Sequence, residues 1–235
     1  MNHSSEQLID LRVAITGGTS GLGLALVREL RRRGARVAFV ARTRERVDAV
    51  AREQPGTHGI VGDVAAKEDI HPIALQIATA LGGLDVLVNN ASSLGPARLA
   101  LLADTECEDF AVALETNVLG PFRLTRALLG ALTASAREGR GAVVLNISSD
   151  AAVNAYAQWG AYGASKAALR HMSAIWNEEL AASGVRFLSL DPGDMDTPLH
   201  ALAIPDADPA TLTRPEAAAR ELTDAIAAAL AREHA

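Results

Sequence analysis

Leu11-Arg12-Val13-Ala14-Ile15-Thr16-Gly17-Gly18-Thr19-Ser20-Gly21-Leu22-Gly23 is the stretch on which the fold turns. The short apolar run Leu11–Thr16 ends in glycines, the pattern of a parallel strand buried on both faces. Leu24 to Arg33 then place apolar residues at helical spacing and stop at Gly34, where a glycine closes a helix readily. Strand, glycine loop and helix in that order make a phosphate-binding arrangement. The glycines let the backbone turn sharply and approach a pyrophosphate, and the helix N-terminus meets its charge. Gly17, Thr19, Ser20, Gly21, Leu22 and Gly23 are the candidate contacts.

The alternation continues downstream without a linker, repeat or break in composition. Further strands are predicted at Ala35–Val40, His58–Val64, Leu84–Val88, Ala142–Ile147 and Val185–Leu190. Helices are predicted at Arg44–Arg52, Lys67–Leu81, Glu106–Val118, Pro121–Ala136, Tyr162–Leu180 and Glu216–Ala231, and Pro215 suits the first turn of the last one. Leu94–Thr105 reads as a loop, and residues 197–213, with three prolines, as a loop or lid. Residues 1–235 therefore read as one α/β domain, three-layered and doubly wound, with a mainly parallel six-stranded sheet.

Composition bounds the partners. The 22 Lys and Arg against 28 Asp and Glu leave a formal charge of −6, which argues against nucleic acid or an anionic membrane surface as partner. The single cysteine, Cys107, excludes an internal disulfide framework and fits a reducing compartment. Met1–Gln7 lack a basic region followed by an apolar run, and no apolar segment is long enough to span a bilayer. A cytoplasmic protein without a metal site is the expectation.

Two further places carry chemistry. The residue ending the second strand of a dinucleotide fold meets the adenosine ribose, where an acid selects a free 2′-hydroxyl. Here Ala41 and Arg42 stand there, with Arg44 and Arg46 close by. A guanidinium pairs with a 2′-phosphate, so NADP(H) is expected, with NAD(H) as second choice. Ser148 and Ser149 end the fifth strand, and Tyr162 and Lys166 sit four apart on the following helix, hence side by side on one face. A phenol titrates at about 10 in water, and a nearby positive charge favours its ionised form. Such a pair serves proton transfer near neutral pH. Lys67 and Lys166 are the only lysines in an arginine-rich chain.

Taken together, Thr-Gly-x-x-x-Gly-Leu-Gly at Thr16–Gly23, Asp63-Val64, Asn89-Asn90-Ala91, Asn117, Ser149, Tyr162-x-x-x-Lys166 and Pro-Gly-x-x-x-Thr at Pro192–Thr197 resemble the short-chain dehydrogenase/reductase family of the single-domain type. The resemblance runs along nearly the whole chain. It implies a Rossmann-like fold and an NADP(H)-dependent oxidoreductase interconverting an alcohol with a ketone or aldehyde. Tyr162 would be the general acid/base, Lys166 would lower its pKa and bond the nicotinamide ribose, and Ser149 would polarise the carbonyl. Asn117 would hold a water linking Lys166 to solvent. Asp63 and Val64 would lie beside the adenine, and Asn89 and Ala91 would approach the adenosine side and the nicotinamide ribose. Pro192, Gly193, Met195 and Thr197 would border the carboxamide. Substrate would meet Ser149, Asp150, Tyr156, Tyr162 and Met195.

Departures from the family pattern carry their own expectations. Ser92 stands where a glycine is usual, which would alter the backbone or add a hydroxyl near the nicotinamide. No apolar run after the last helix offers a seventh strand, so a homodimer through Pro121–Ala136 and Tyr162–Leu180 is expected ahead of a tetramer. The helix at Pro121–Ala136 is apolar on most sides, which points to a second copy covering it. Asp150, Asp194 and Asp196 surround the expected substrate mouth and would favour a cationic or polyhydroxylated substrate. Two other functions stay open: a catalytically silent NADP-binding regulator, and a β-ketoacyl-carrier-protein reductase. The acidic 197–213 segment, with Asp206 and Asp208, speaks against the latter.

Overall fold

A computed structural model describes residues 8–231. Met1–Gln7, on which the leader reading rests, lie outside the described residues.

The chain alternates β1 (Arg12–Thr16), α1 (Gly21–Arg32), β2 (Arg36–Ala41), α2 (Arg44–Glu53), β3 (His58–Val61), α3 (Ile70–Leu81) and β4 (Val86–Asn89). The second half runs α4 (Cys107–Leu114), α5 (Gly120–Arg137), β5 (Ala142–Ile147), α6 (Gly160–Leu180), β6 (Val185–Leu190), α7 (Pro198–Ala203) and α8 (Pro215–Ala231). The six strands form one parallel sheet in the order β3-β2-β1-β4-β5-β6. Its order reverses between β1 and β4, which opens a crevice at the carboxyl ends of those strands.

Alternation along each strand sends side chains to both layers. Val13, Ile15, Phe39, Val143 and Leu145 pack with Leu26, Leu30, Leu222 and Ile226 under α1 and α8. Ala14, Ala38, Leu87 and Val144 face the other way, against Ile73, Ile77, Leu124 and Leu128 of α3 and α5. A sheet covered on both faces explains why its strands read as continuous apolar runs.

Several boundaries differ from the sequence reading, each for a local reason. β3 stops at Val61 rather than Val64, because Asp63 leaves the sheet: its N–H donates to the Asp69 carboxylate at 2.8 Å, and its own carboxylate accepts from the Ala65 N–H at 2.9 Å. β4 starts at Val86 rather than Leu84, with the Asp85 backbone still bonded to Arg12 and Val143 on either side (both 2.9 Å) and its side chain held by Arg12 and Arg140. The helix predicted to Val118 ends at Leu114 and passes through a π turn, Glu115–Leu119, directly into α5. Pro121 has no N–H for the α-helical ladder, and the Gly120 N–H reaches back to the Glu115 carbonyl instead. Residues 197–213 are not plain loop: they hold α7 and a 3-10 turn at Pro209–Thr211.

The flanks of α5 are largely taken within the chain. α3 packs along one side, and on the other Phe122 meets Trp176 of α6 at 6.2 Å between ring centroids. Trp176 stacks in turn on Phe187 of β6 at 5.3 Å. Its apolar breadth is thus mostly accounted for without a second copy. Among the described residues no helix is long and apolar enough to cross a membrane.

Candidate active site

The crevice between β1 and β4 widens into one cavity of about 920 Å³ that runs from β2 across the glycine loop to α7. Gly17, Thr19, Ser20, Gly21, Leu22 and Gly23 form its floor. The loop is so tight that only glycine fits: a Cβ on Gly23 would lie 2.1 Å from the Gly17 carbonyl oxygen, and one on Gly17, at φ +70°, 3.0 Å from the Ala91 Cα. Thr16 and Asn90 hold this loop to β4. The Thr16 hydroxyl oxygen accepts from the Asn90 and Ala91 N–H groups, both at 3.0 Å, while the Asn90 amide donates to the Thr16 carbonyl at 2.8 Å.

At one end Arg42, Asp63 and Val64 line the wall, joined by Arg46. Ala91, Pro192, Gly193, Met195 and Thr197 line the middle, and Ser149, Asp150, Tyr156, Tyr162 and Lys166 the far limb. Backbone amides at the start of α1, glycines that admit close approach and a basic end suit a dinucleotide of two phosphates.

Two expected site residues lie elsewhere. Asn89 is buried beneath the sheet face and donates to Asn146 of β5 at 2.8 Å and Thr125 of α5 at 3.3 Å. Successive strand residues point to opposite faces, so Asn90, one position on, takes the loop-side place. Asn117 sits in the π turn, fully buried and behind the cavity wall. Its amide donates to the Ser93 carbonyl (2.7 Å) and Ser165 hydroxyl (2.8 Å), and its oxygen accepts from Ser93 N–H (2.8 Å) and Ser92 Oγ (3.2 Å). That side chain ties the segment after β4 to α6.

The electrostatics of Tyr162 also differ from expectation. Burial pushes its phenol up to about 12, against which the adjacent Ser149 and Ser92 hydroxyls pull it down. Burial brings Lys166 down to about 8, and Asp191 opposes this. The Lys166 ammonium donates to the Ile147 carbonyl (2.8 Å) and lies behind the ring, 5.5 Å from the centroid, so burial rather than this charge sets the direction of the phenol's shift. At neutral pH the site therefore holds a protonated phenol in front of a mostly charged ammonium, which is a proton donor ready for use.

Around the phenol the limb is apolar. Leu94, Ala151 and Tyr162 form a small buried cluster with Trp159, Leu199 and Ala203 packed on it. Trp159 meets Tyr162 edge-on at 5.7 Å. The acidic residues are largely turned to other partners. Asp150 accepts from the Tyr156 hydroxyl at 2.7 Å and from the Ser149 hydroxyl at 3.3 Å, which raises the Tyr156 pKa. Asp194 borders the mouth with its side chain 81 % exposed, 3.9 Å from His200, and Asp196 lies outside the wall. The wall expected from Ser92–Leu94 and the segment Leu199–Pro209 is in place through Ser92, Leu94, Leu202 and Ile204, and Arg46 joins Arg42 as expected, whereas Val112, Thr116 and Asp191 line the cavity without having been singled out.

Known proteins resemble this chain in sequence and fold. A family model described as short chain dehydrogenase matches residues 12–207. L-fucose dehydrogenase of Bos taurus is 34 % identical over 203 residues, covering 86 % of this chain and 73 % of that protein. The 3-ketoacyl-(acyl-carrier-protein) reductase of Brucella melitensis, solved with NADH, superposes with a TM-score of 0.85 at 25 % identity, over 92 % of this chain and 91 % of its own. A short chain dehydrogenase of Burkholderia cenocepacia J2315, solved with NADP, gives 0.82 at 26 % identity over 94 % and 92 %.

Proposed function

We propose, from the premise that this chain belongs to the short-chain dehydrogenase family and is an oxidoreductase of alcohols and carbonyls, that it is an NADP(H)-linked carbonyl reductase working through Tyr162. The observation that carries the reading is the buried, protonated Tyr162 phenol standing where the glycine-floored limb meets the apolar limb of one cavity.

The nicotinamide, when bound, supplies the hydride in reduction and accepts it in oxidation. The protein's own groups do the rest. Tyr162 gives its proton to the carbonyl oxygen as that oxygen gains negative charge, and takes one from the alcohol in reverse. Ser149 swings its hydroxyl from Asp150 to donate to the same oxygen. Lys166 keeps a positive charge behind the phenol ring, which favours the phenolate left after proton transfer. Arg42 and Arg46, with Ala41 in place of an acid, favour a 2′-phosphate on the adenosine ribose. A carrier-protein substrate is not favoured, because residues 197–213 offer no lysine or arginine for docking.

The test is steady-state kinetics on a panel of ketones, aldehydes and alcohols, L-fucose among them, with NADPH and NADH. Turnover is expected to fall by about 1000-fold in Tyr162→Phe with cofactor binding kept. Arg42→Ala is expected to cut the NADPH-over-NADH ratio in kcat/KM by about tenfold. Tight cofactor binding without turnover of any substrate would favour a silent regulator instead.

A further inference from the structure

We infer that the substrate is a neutral carbonyl compound carrying a bulky apolar arm, aryl or branched alkyl, seated against α7. The inference rests on the carbonyl-reductase reading and names the substrate class for that site.

Charge argues against an anionic substrate. The basic side chains in the cavity wall are Arg42 and Arg46 at the opposite end, Lys166 behind the phenol and His200 beside Asp194. None of them is free to hold an anionic substrate next to Tyr162. Asp150, the acid nearest the reacting position, already accepts from two hydroxyls, and Asp194 faces solvent. The Asp150 and Asp191 carboxylates line the same limb, so an anion meets carboxylates there instead of a free cation, and it is the apolar wall that disfavours a charged group of either sign.

The walls argue for an apolar arm. Leu199, Leu202 and Ala203 share one face of α7, because residues three and four apart on a helix are neighbours. Ile204 follows them, and Leu94, Trp159 and Val112 of α4 complete the wall. Leu202 is 54 % exposed, Val112 47 % and Ile204 40 %. Large apolar side chains left open around one mouth mark a place that something apolar covers. The geometry is held firmly. Thr197 caps α7 by accepting from the His200 N–H at 3.2 Å, and Pro198 opens the helix. The segment is closed at its neck, where the Asp196 N–H donates to the Thr213 carbonyl at 3.1 Å and the Thr213 N–H to the Asp194 carbonyl at 2.9 Å. The apolar face of α7 is thus fixed toward the phenol. A polyol or a small zwitterion placed there would leave its polar groups unpaired.

The experiment compares 2-tetralone and propiophenone with hydroxyacetone and pyruvate under NADPH and NADH. The aryl ketones are expected to exceed both small polar ketones by about 100-fold in kcat/KM, since each buried methylene is worth about fourfold. Equal or reversed preference overturns the inference. Leu202→Asn, at an exposed position that tolerates substitution, is expected to lower the ratio by about tenfold, with the melting temperature checking the fold. Calorimetric binding of 1-(2-naphthyl)ethanol to the Tyr162→Phe protein with NADP+ separates the two proposals. Binding that weakens in the added Leu202→Asn change, without turnover of any ketone by the unmodified protein, sinks the reductase reading and sustains the apolar seat. No binding of the naphthyl alcohol sinks the seat itself.

Discussion

Tyr162 and Lys166 stand four residues apart on α6, and burial moves their proton affinities in opposite directions, up to about 12 for the phenol and down to about 8 for the ammonium. Their side-by-side placement follows from helical periodicity alone. The direction of the phenol shift does not, because it depends on how deeply Leu94, Trp159 and Ala151 enclose the ring. Ser92 joins this pair in three dimensions. Its hydroxyl has one proton, given to the Asn117 oxygen here and within reach of the Tyr162 oxygen, where it favours the phenolate, so Tyr162 loses its proton at lower pH with Ser92 present than without it. In the alcohol-oxidising direction, where the proposed base must be deprotonated, Ser92→Ala should move the rising, acid-side limb of the pH–kcat profile to higher pH and lower kcat about fivefold. Ser92→Thr should restore the profile. An unmoved limb in Ser92→Ala would take Ser92 out of the proton path.

At the scale of elements, the cavity depends on strand ends being held in register, and charged clamps do part of this. Asp85, fully buried ahead of β4, accepts from Arg12 of β1, from Arg140 before β5 and from Ser135 of α5. Burial alone would raise its pKa, but Arg12, Arg140 and Ser135 outweigh it and hold the carboxyl at about 2. A group whose folded pKa is depressed stabilises above its unfolded value of about 3.9 and loses that effect as pH falls through the folded value. Asp85→Asn should therefore cost about 3 kcal/mol in urea unfolding at pH 7, and the gap to the unsubstituted protein should close between about pH 4 and pH 2. A gap that does not change with pH would assign the loss to packing. Nothing in the run Leu84–Val88 signals this clamp, because Arg12 and Arg140 lie far from Asp85 along the chain. The π turn before α5 was likewise not foreseen, although Pro121, which forces it, was in view. The neck that closes residues 197–213 pairs two distant backbone segments and leaves no pattern in composition.

At the scale of the molecule, α6 bears Ile175, 44 % exposed, and α5 the half-buried Phe122 and Leu129. We propose these two helices as the contact of a homodimer; sedimentation at micromolar concentration should give twice the mass of one chain, and Ile175→Glu should return the monomer, whereas a monomer in the unsubstituted protein would leave α5 covered by α3 and α6 alone. The order of strands and helices, the glycine floor and the Tyr162–Lys166 pair were determined by sequence, because each is set by local periodicity or by a backbone path open only to glycine. Tertiary structure decided what lies across the chain from these. It moved Asn89 under the sheet and Asn117 behind the wall, engaged Asp150 with Tyr156, and turned the apolar face of α7 toward the phenol. The physical reason is that facing direction, burial and hydrogen-bond partners arise from residues brought together by the sheet order, and their free energies appear only once the enclosing side chains are in place.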